Sequence, residues 1–318
     1  MLAGSAIAAA GLASSFAPNA RAAAPAARKQ IPGVYRYKLG SYELTAIYDG
    51  VWHRPIDASF VREAAWPDVQ QAMTSAYMPE PGKLSIPFTA LLVNTGAKLL
   101  LIDTGSAGQI TPTAGALIDN LAAAGIAPKD IDAIAISHFH PDHINGIKTK
   151  DDALVFPNAE VMVPADEMRF FMDDGNLSRA SEGVRGVFLN ARRVFKSIEK
   201  TVTRFDPGME IVPGVTPLAS PGHTPGHVVF AVASGSQSMM VLSDTTNRPE
   251  LFVKHPDWQP IFDMDGSLAV TNRKRLLDRV AADRMLVQSY HFPFPACGHI
   301  AKDGAGYAYV PSQWSPVL

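Results

Sequence analysis

Cysteine is almost absent, with Cys297 alone in 318 residues. That excludes an internal disulfide framework and a thiolate-rich metal site, so any metal must be held by histidine and carboxylate. An excess of either charge is missing too. Charged residues make up 18% of the chain and the formal net charge is −2. This balance excludes the basic surface of a nucleic-acid binder and the acidic run of a solvating tail. No apolar run reaches the ~20 residues that a membrane span needs. The expected partner is therefore a small-molecule substrate, without nucleic acid or stable membrane insertion; a homodimer is compatible with all of this. G-x-S-x-G is absent, which removes the serine nucleophile of that motif. Apolar residues are plentiful at 47%, enough for one large core or two small ones.

The N-terminus reads as an address rather than as fold. Residues 1–24 are Ala-rich, lack any acidic residue, and carry near their end Ala20-Arg21-Ala22, a small-x-small pattern open to a signal peptidase. Ser14, Ser15, Pro18 and Asn19 interrupt the run, which argues against a buried helix or a membrane anchor. No Lys or Arg precedes it, and Leu2-Ala3-Gly4-Ser5-Ala6 resembles the stretch just after the arginines of a twin-arginine signal. The expectation is a periplasmic or secreted protein whose signal is removed, with a start upstream. A linker over 25–32 and a single domain over 33–318 complete the expected organisation.

Along that domain, strand-like runs at Val34–Leu39, Glu43–Tyr48, Ala90–Val93, Lys98–Ile102, Ala133–Ile136 and Ala159–Val163 are separated by turn residues. Helices are expected within 56–87, over Thr113–Ala124, Asp166–Met172 and Glu182–Ile198. The second half repeats the order: strands at Glu210–Val212, Val215–Ala219, His227–Ala233 and Met239–Leu242, then a helix over Ser267–Ala282 and a final strand at Met285–Gln288. That helix is expected to place Leu268, Thr271, Leu276 and Val280 near one face. Two β-rich halves, each with helices, predict two packed sheets with helices outside.

The chemistry concentrates in Ser137-His138-Phe139-His140-Pro141-Asp142-His143. It follows an apolar strand and contains a proline, so it sits on a loop at a strand end. His138 and His140 alternate around Phe139 and can point the same way; Asp142 and His143 come after a turn and can face a second metal. A lone histidine usually makes a structural hydrogen bond, whereas this density of ligands suits a divalent cation. Three more candidates stand at strand ends. His223 is flanked by Gly222 and, beyond Pro225, by Gly226, which allow close backbone approach. Asp244 follows Met239–Leu242, where a charge is costly unless paired or bound to metal. His291 follows Met285–Gln288 in the same manner. Taken singly, each is equally compatible with an ordinary turn residue.

His138-x-His140-x-Asp142-His143, followed by single His, Asp and His, resembles the metallo-β-lactamase superfamily, from about Pro32 to the C-terminus. The resemblance implies an α/β (α+β) four-layer αββα sandwich. It implies His138, His140 and His223 on one ion, Asp142, His143 and His291 on another, and Asp244 bridging. It also implies that Asp103, in Asp103-Thr104-Gly105, orients the metal loop without touching metal. Two divalent ions are expected as cofactors, zinc by default, with iron, manganese or cobalt as alternatives. Pro32-Gly33-Val34-Tyr35-Arg36, His223-Thr224-Pro225-Gly226-His227 and Gly298-His299-Ile300 look like the methyl parathion hydrolase and quorum-quenching lactonase branch. Asp244 stands where many true metallo-β-lactamases have Cys, and His140 where diiron oxidoreductases have Glu. His227 and His299 read as supporting hydrogen-bond partners of the ligands.

The function expected is a binuclear hydrolase whose metal-bridging hydroxide cleaves a lactone or aryl ester, with Asp142 or Asp244 passing a proton to the leaving group. Phosphotriester hydrolysis fits as a side activity. The alternatives are a primary organophosphate hydrolase, a β-lactamase-like enzyme, and a non-catalytic metal-binding member. Pocket walls are expected from Phe170, Phe171, Phe188, Asn247 and Phe292, which favours an uncharged, apolar substrate. Arg248 is the one nearby cation expected to alter that preference.

Overall fold

Period-two alternation along the strands generates the architecture. In the computed structural model, which describes residues 27, 30–78 and 82–318, Pro32–Leu318 forms one folded unit. The expected export segment over 1–24 lies outside the described residues, as does part of the linker over 25–32. In the first half come β1 (Val34–Leu39), β2 (Tyr42–Pro55), β3 (Val61–Arg62), α1 (Trp66–Ser75), β4 (Lys83–Asn94), β5 (Leu99–Ile102), α2 (Leu117–Ala123) and β6 (Ala133–Ala135). They are followed by α3 (Pro141–Ile144), β7 (Glu160–Pro164), α4 (Ala165–Met172), α5 (Asp174–Arg179), α6 (Glu182–Phe195) and β8 (Thr203–Phe205). The second half holds β9 (Val215–Ala219), β10 (Val228–Ser234), β11 (Gln237–Val241), β12 (Gln259–Pro260), α7 (Gly266–Ala282), β13 (Leu286–Gln288), β14 (Cys297–Asp303) and β15 (Gly306–Pro311).

One sheet runs β1-β2-β4-β5-β6-β7-β8 and the other β15-β14-β13-β11-β10-β9. Successive side chains point to opposite faces, and three cores result. Leu91 and Val93 of β4, Leu100 and Ile102 of β5, and Ala133 and Ala135 of β6 meet Val228, Phe230, Val232, Met239 and Val241 between the sheets. The alternate residues Leu92, Leu101 and Ile134 pack instead against Phe171, Phe188, Val194 and Phe195 of the outer helices. On the far side Val229, Met240 and Val287 pack against Leu276, Leu277 and Val280 of α7. The order is helix, sheet, sheet, helix, as the resemblance implied. Among the described residues no helix is long and apolar enough to cross a membrane.

Some local expectations differ from the structure. Glu210–Val212 forms no strand; Val212 makes only an isolated bridge to Val215. The strand at Leu286–Gln288 is not the last, because β14 and β15 extend the second sheet as an antiparallel hairpin. On α7 Leu268 is exposed, while Arg273 lies on the buried face. Arg273 tolerates burial because its guanidinium meets Thr245 O, Pro256 O, Trp258 O and the Asp263 carboxylate.

The parallel pairings β5–β6, β6–β7 and β11–β13 point their C-terminal ends to one edge of the sandwich. Ligand sites of α/β sheets gather at such edges. Close backbone approach there requires glycine. A Cβ on Gly146 would lie 1.8 Å from Thr104 O, so the loop after β6 could not close on the loop after β5. Gly146→Ala is therefore expected to destabilise the fold by about 1–3 kcal/mol through overpacking, measured as a lower urea midpoint with an unchanged m-value.

Candidate metal centre and substrate cavity

The ligand loop begins where β6 ends. Asp103, at the end of β5, accepts from Ser137 N at Oδ1 and from Ser137 Oγ at Oδ2, each at 2.8 Å. The same Oδ2 accepts from His143 Nδ1 at 2.8 Å. Asp103 is buried and has φ +61°, a left-handed conformation that costs a non-glycine residue roughly 1–2 kcal/mol. The loop is fastened along its length. Val228 N donates to Ser137 O across the sheets, Phe139 N to Glu167, Thr104 N to His143 O, and Tyr290 Oη to Asp142 O. Pro141 opens α3 and His140 before it is extended, as a residue preceding proline prefers.

Hydrogen bonds at the backs of the histidines settle which nitrogen faces inward. Ser137 Oγ donates to Asp103, so it accepts from His138 Nδ1. His143 Nδ1 donates to Asp103, His223 Nδ1 to Asp263 Oδ1 at 2.9 Å, and His291 Nδ1 to Pro87 O at 2.9 Å. All four thus present Nε2 to the site. His140 turns its Nδ1 in, 3.0 Å from His138 Nε2 and 2.9 Å from His223 Nε2.

The inward atoms form two groups, His138, His140, His223 and Asp244 in one and Asp142, His143 and His291 in the other. Asp244 stands between them. Its Oδ2 is 3.3 Å from His223 Nε2 and 2.9 Å from His291 Nε2, and its Oδ1 is 3.2 Å from His143 Nε2. Asp142 Oδ2 lies 3.4 Å from His143 Nε2 and 3.5 Å from His291 Nε2. His143 Nε2 and Asp244 Oδ1 are buried without a hydrogen-bond partner despite their proximity. Such orphaned atoms are costly, and a cation that accepts their lone pairs removes the cost. Imidazole nitrogens and carboxylate oxygens without thiolate form a donor set for zinc, iron, manganese or cobalt, so the residues fit the metals expected.

Electrostatics divides the histidines. Burial holds His138 well below the usual histidine value and takes His140 to about 3, so both are neutral. Burial pushes His223 down too, but Asp244 and Asp263 outweigh it and raise it to about 9. Burial of His143 is likewise outweighed, here by Asp142, Asp244 and Asp103, which raise it well above normal. Burial would raise Asp244, yet His291 and His143 hold it well below the carboxylate range.

The supporting residues fall on both sides of expectation. His227 lies behind the site: its Nδ1 donates to Ser220 O and its Nε2 accepts from Asp244 N. His299 does not; it is exposed on β14 and bonds Met285 O. Asp263 and Arg273 behind His223, joined by a buried ion pair of 2.9 Å, had no motif to announce them. Neither had Glu167, buried on the far wall, which accepts from Phe139 N and Gly226 N. Burial raises its pKa to about 7.

Beside the ligands opens a cavity of about 520 Å³, walled by Trp52, Ile86, Phe88, Val187, Phe262 and Met264 among others. Asn247 lines it as expected. Phe171 and Phe292 do not: both are core, the first under α6 and the second against Tyr309. Phe170 and Phe188 line a neighbouring recess that shares Ser181, Val184 and Met264 with the main cavity. The helical wall is supplied instead by Ser181, Gly183, Val184 and Val187, because α6 turns its phenylalanines toward the sheet. Arg248 is held by Glu250 and by Ser85 O. The cation on the wall is Arg54, so the expectation that Arg248 is the one nearby cation is corrected.

The metallo-β-lactamase superfamily model matches residues 88–291. The chain belongs to this superfamily. It is 28% identical over 228 residues to the N-acyl homoserine lactonase AiiA of Bacillus thuringiensis subsp. kurstaki, covering 65% of this chain and 82% of that one. It is 25% identical to an N-acyl homoserine lactonase of Bacillus cereus over the same share of each chain. Among solved structures, the hydrolase AbOPH superposes with a TM-score of 0.84 at 26% identity, over 90% of this chain and 100% of that one. AidC, a dizinc quorum-quenching lactonase in complex with a product, does so with a TM-score of 0.84 at 27% identity, over 89% and 99%. Fold and relatives together make this chain a metal-dependent hydrolase in the neighbourhood of the quorum-quenching lactonases.

Asp103→Asn turns an amide N–H toward donors and should lower metal affinity about 10–100-fold, read by competition with a chromophoric chelator. His143 and His223 have raised pKa values, so at pH 7.5 the metal-free protein carries protons that a cation must displace. Adding zinc should release protons, and apparent affinity should climb by about tenfold per pH unit for each displaced proton, flattening for His223 above about 9. A pH-stat titration that records no release would contradict this.

Proposed function

We propose that this hydrolase is binuclear and cleaves lactones or aryl esters, with phosphotriester hydrolysis as a side activity. The observation that carries the reading is the pair of ligand groups, with Asp244 lying near histidines of both, at the floor of a largely apolar cavity. The relatives named as lactonases support the substrate class. His138, His140 and His223 would hold one cation, Asp142, His143 and His291 the other, and Asp244 both. Zinc is our choice of metal, supported by the dizinc neighbour AidC. Such ions, when bound, supply a nucleophilic water near neutral pH and Lewis-acid polarisation of a carbonyl or phosphoryl oxygen.

The chain's own residues do the rest. Asp103, Asp263, Ser137 and Pro87 O fix the imidazoles, so the donors need no rearrangement when a substrate arrives. The Asp142 side chain is 16% exposed and that of Asp244 4%. Asp142 is therefore the carboxylate able to take up the proton released by the nucleophilic water and pass it to a leaving-group oxygen. Trp52, Ile86, Phe88 and Phe262 exclude water from the apolar part of the substrate. Export to the periplasm or the medium belongs to the same proposal and rests on the composition of residues 1–24.

The test is kcat/KM on zinc-loaded protein for a lactone, an aryl ester, a phosphotriester and a penicillin, before and after chelation. A lactone or the aryl ester should lead, chelation should abolish turnover and added zinc should restore it. Turnover that survives complete metal removal would refute the mechanism. A phosphotriester or a penicillin preferred over both esters would refute the substrate class alone.

A further inference from the structure

We propose that Arg54 anchors an anionic group carried by the substrate, so that the lactone or ester cleaved here bears a carboxylate remote from its scissile bond. The proposal rests on the hydrolase reading above and makes its substrate class narrower.

Arg54 is the only lysine or arginine on the cavity wall among the described residues. Strand alternation puts it there: Trp52 and Arg54 share a face of β2, and Trp52 pairs with Ile86 of β4, another wall residue. Its guanidinium carbon lies 4.7 Å from the ring centre of Trp52, 5.3 Å from Phe262 and 5.9 Å from Phe60. The rings can cover the faces of the guanidinium, but its N–H groups lie in the plane and need acceptors. Among the described residues it has none. Its Nε is buried without a partner. The nearby Asp57 is exposed and engaged by Ser59 N and Oγ, without an ion pair to Arg54.

The other arginines of this region contrast with it. Arg248 is chelated by Glu250, Arg273 has four acceptors, and Arg62 bonds Pro260 O and Asp263 O. Partial burial also draws Arg54 below the usual arginine value, which shows how little opposite charge offsets its desolvation. A cation pinned between aromatic rings, facing a cavity and lacking an acceptor, is complementary to a planar carboxylate that takes two parallel N–H bonds.

The experiment compares phenyl pentanoate with monophenyl glutarate, which differ by a terminal methyl against a carboxylate, on zinc-loaded wild-type protein, Arg54→Met, Arg54→Gln and Arg54→Lys. The ratio of kcat/KM for the acid over the neutral ester should fall at least tenfold in Arg54→Met and Arg54→Gln, through KM. Arg54→Lys should retain part of it. High salt should reduce the wild-type ratio toward those of the uncharged variants. The non-hydrolysable anilides, glutaric monoanilide and pentananilide, are measured in parallel by calorimetry. If neither ester is turned over, the hydrolase reading fails, and the anilide affinity ratio still tests Arg54. A ratio unchanged by Arg54→Met and Arg54→Gln in both assays would overturn the proposal, as would a wild-type preference for the neutral member of each pair.

Discussion

Everything in this molecule depends on holding buried lone pairs face to face. Five imidazole nitrogens and the oxygens of two carboxylates converge, and two of these atoms, His143 Nε2 and Asp244 Oδ1, are buried without a hydrogen-bond partner. Left alone, such atoms cost free energy. The fold meets that cost by fixing four of the five rings from behind, those of His138, His143, His223 and His291, so that their inward nitrogens wait for a cation. Asp103 is the hub, because one carboxylate sets the start of the ligand loop, the hydroxyl behind His138 and the ring of His143. Its left-handed backbone is tolerated because three hydrogen bonds overdetermine its position.

From that hub the architecture follows. The loop after β6 must meet ligands from the other sheet, and only two sheets packed face to face bring Ser137 O to Val228 N. His223 arrives with Gly222, at φ +127°, folded against the backbone of Ala269 at the start of α7. The same helix supplies Arg273, which neutralises Asp263, which in turn orients His223. A single chain of contacts thus runs from a buried arginine on an outer helix to an imidazole at the centre. Removing one member of that buried pair would leave an uncompensated charge.

The cavity is decided by a different device. Between Tyr48 and Gly50 the pairing of β2 with β4 shifts by one residue. Such a bulge bends a strand and re-aims its side chains. Asp49, released from the ladder, accepts from Ser106 N, Ser106 Oγ and Leu117 N, which ties the strand to the loop beyond Asp103. Past the bulge, Trp52 and Arg54 face the ligands. The floor is set by metal-ligand chemistry and the walls by strand geometry.

How much of this the sequence determined by itself differs from element to element. Local signals were sufficient for β1 and for the hairpin at Gly40-Ser41, where alternation and turn residues agree, and they singled out the dense run from His138 to His143, whereas His223, Asp244 and His291 stand far from it along the chain. They were insufficient for Asp263, Arg273 and Glu167, which stand in no motif and matter because of what packs against them. Phe171, Phe188 and Phe292 read as pocket and turned out to be core or the edge of a side recess, since an apolar ring carries no mark of which face of its element meets the sheet. His299 stands in Gly298-His299-Ile300, one of the stretches behind the resemblance, yet β14 turns it to solvent. No sequence signal singled out Arg54, whereas Arg248 read as the nearby cation. The bulge in β2 and the Glu250 carboxylate reversed those roles. The sequence determined which side chains were there to offer a metal their lone pairs, because donor chemistry belongs to residue type. Only the tertiary structure decided which charge faces the substrate, because that depends on partners brought from far along the chain.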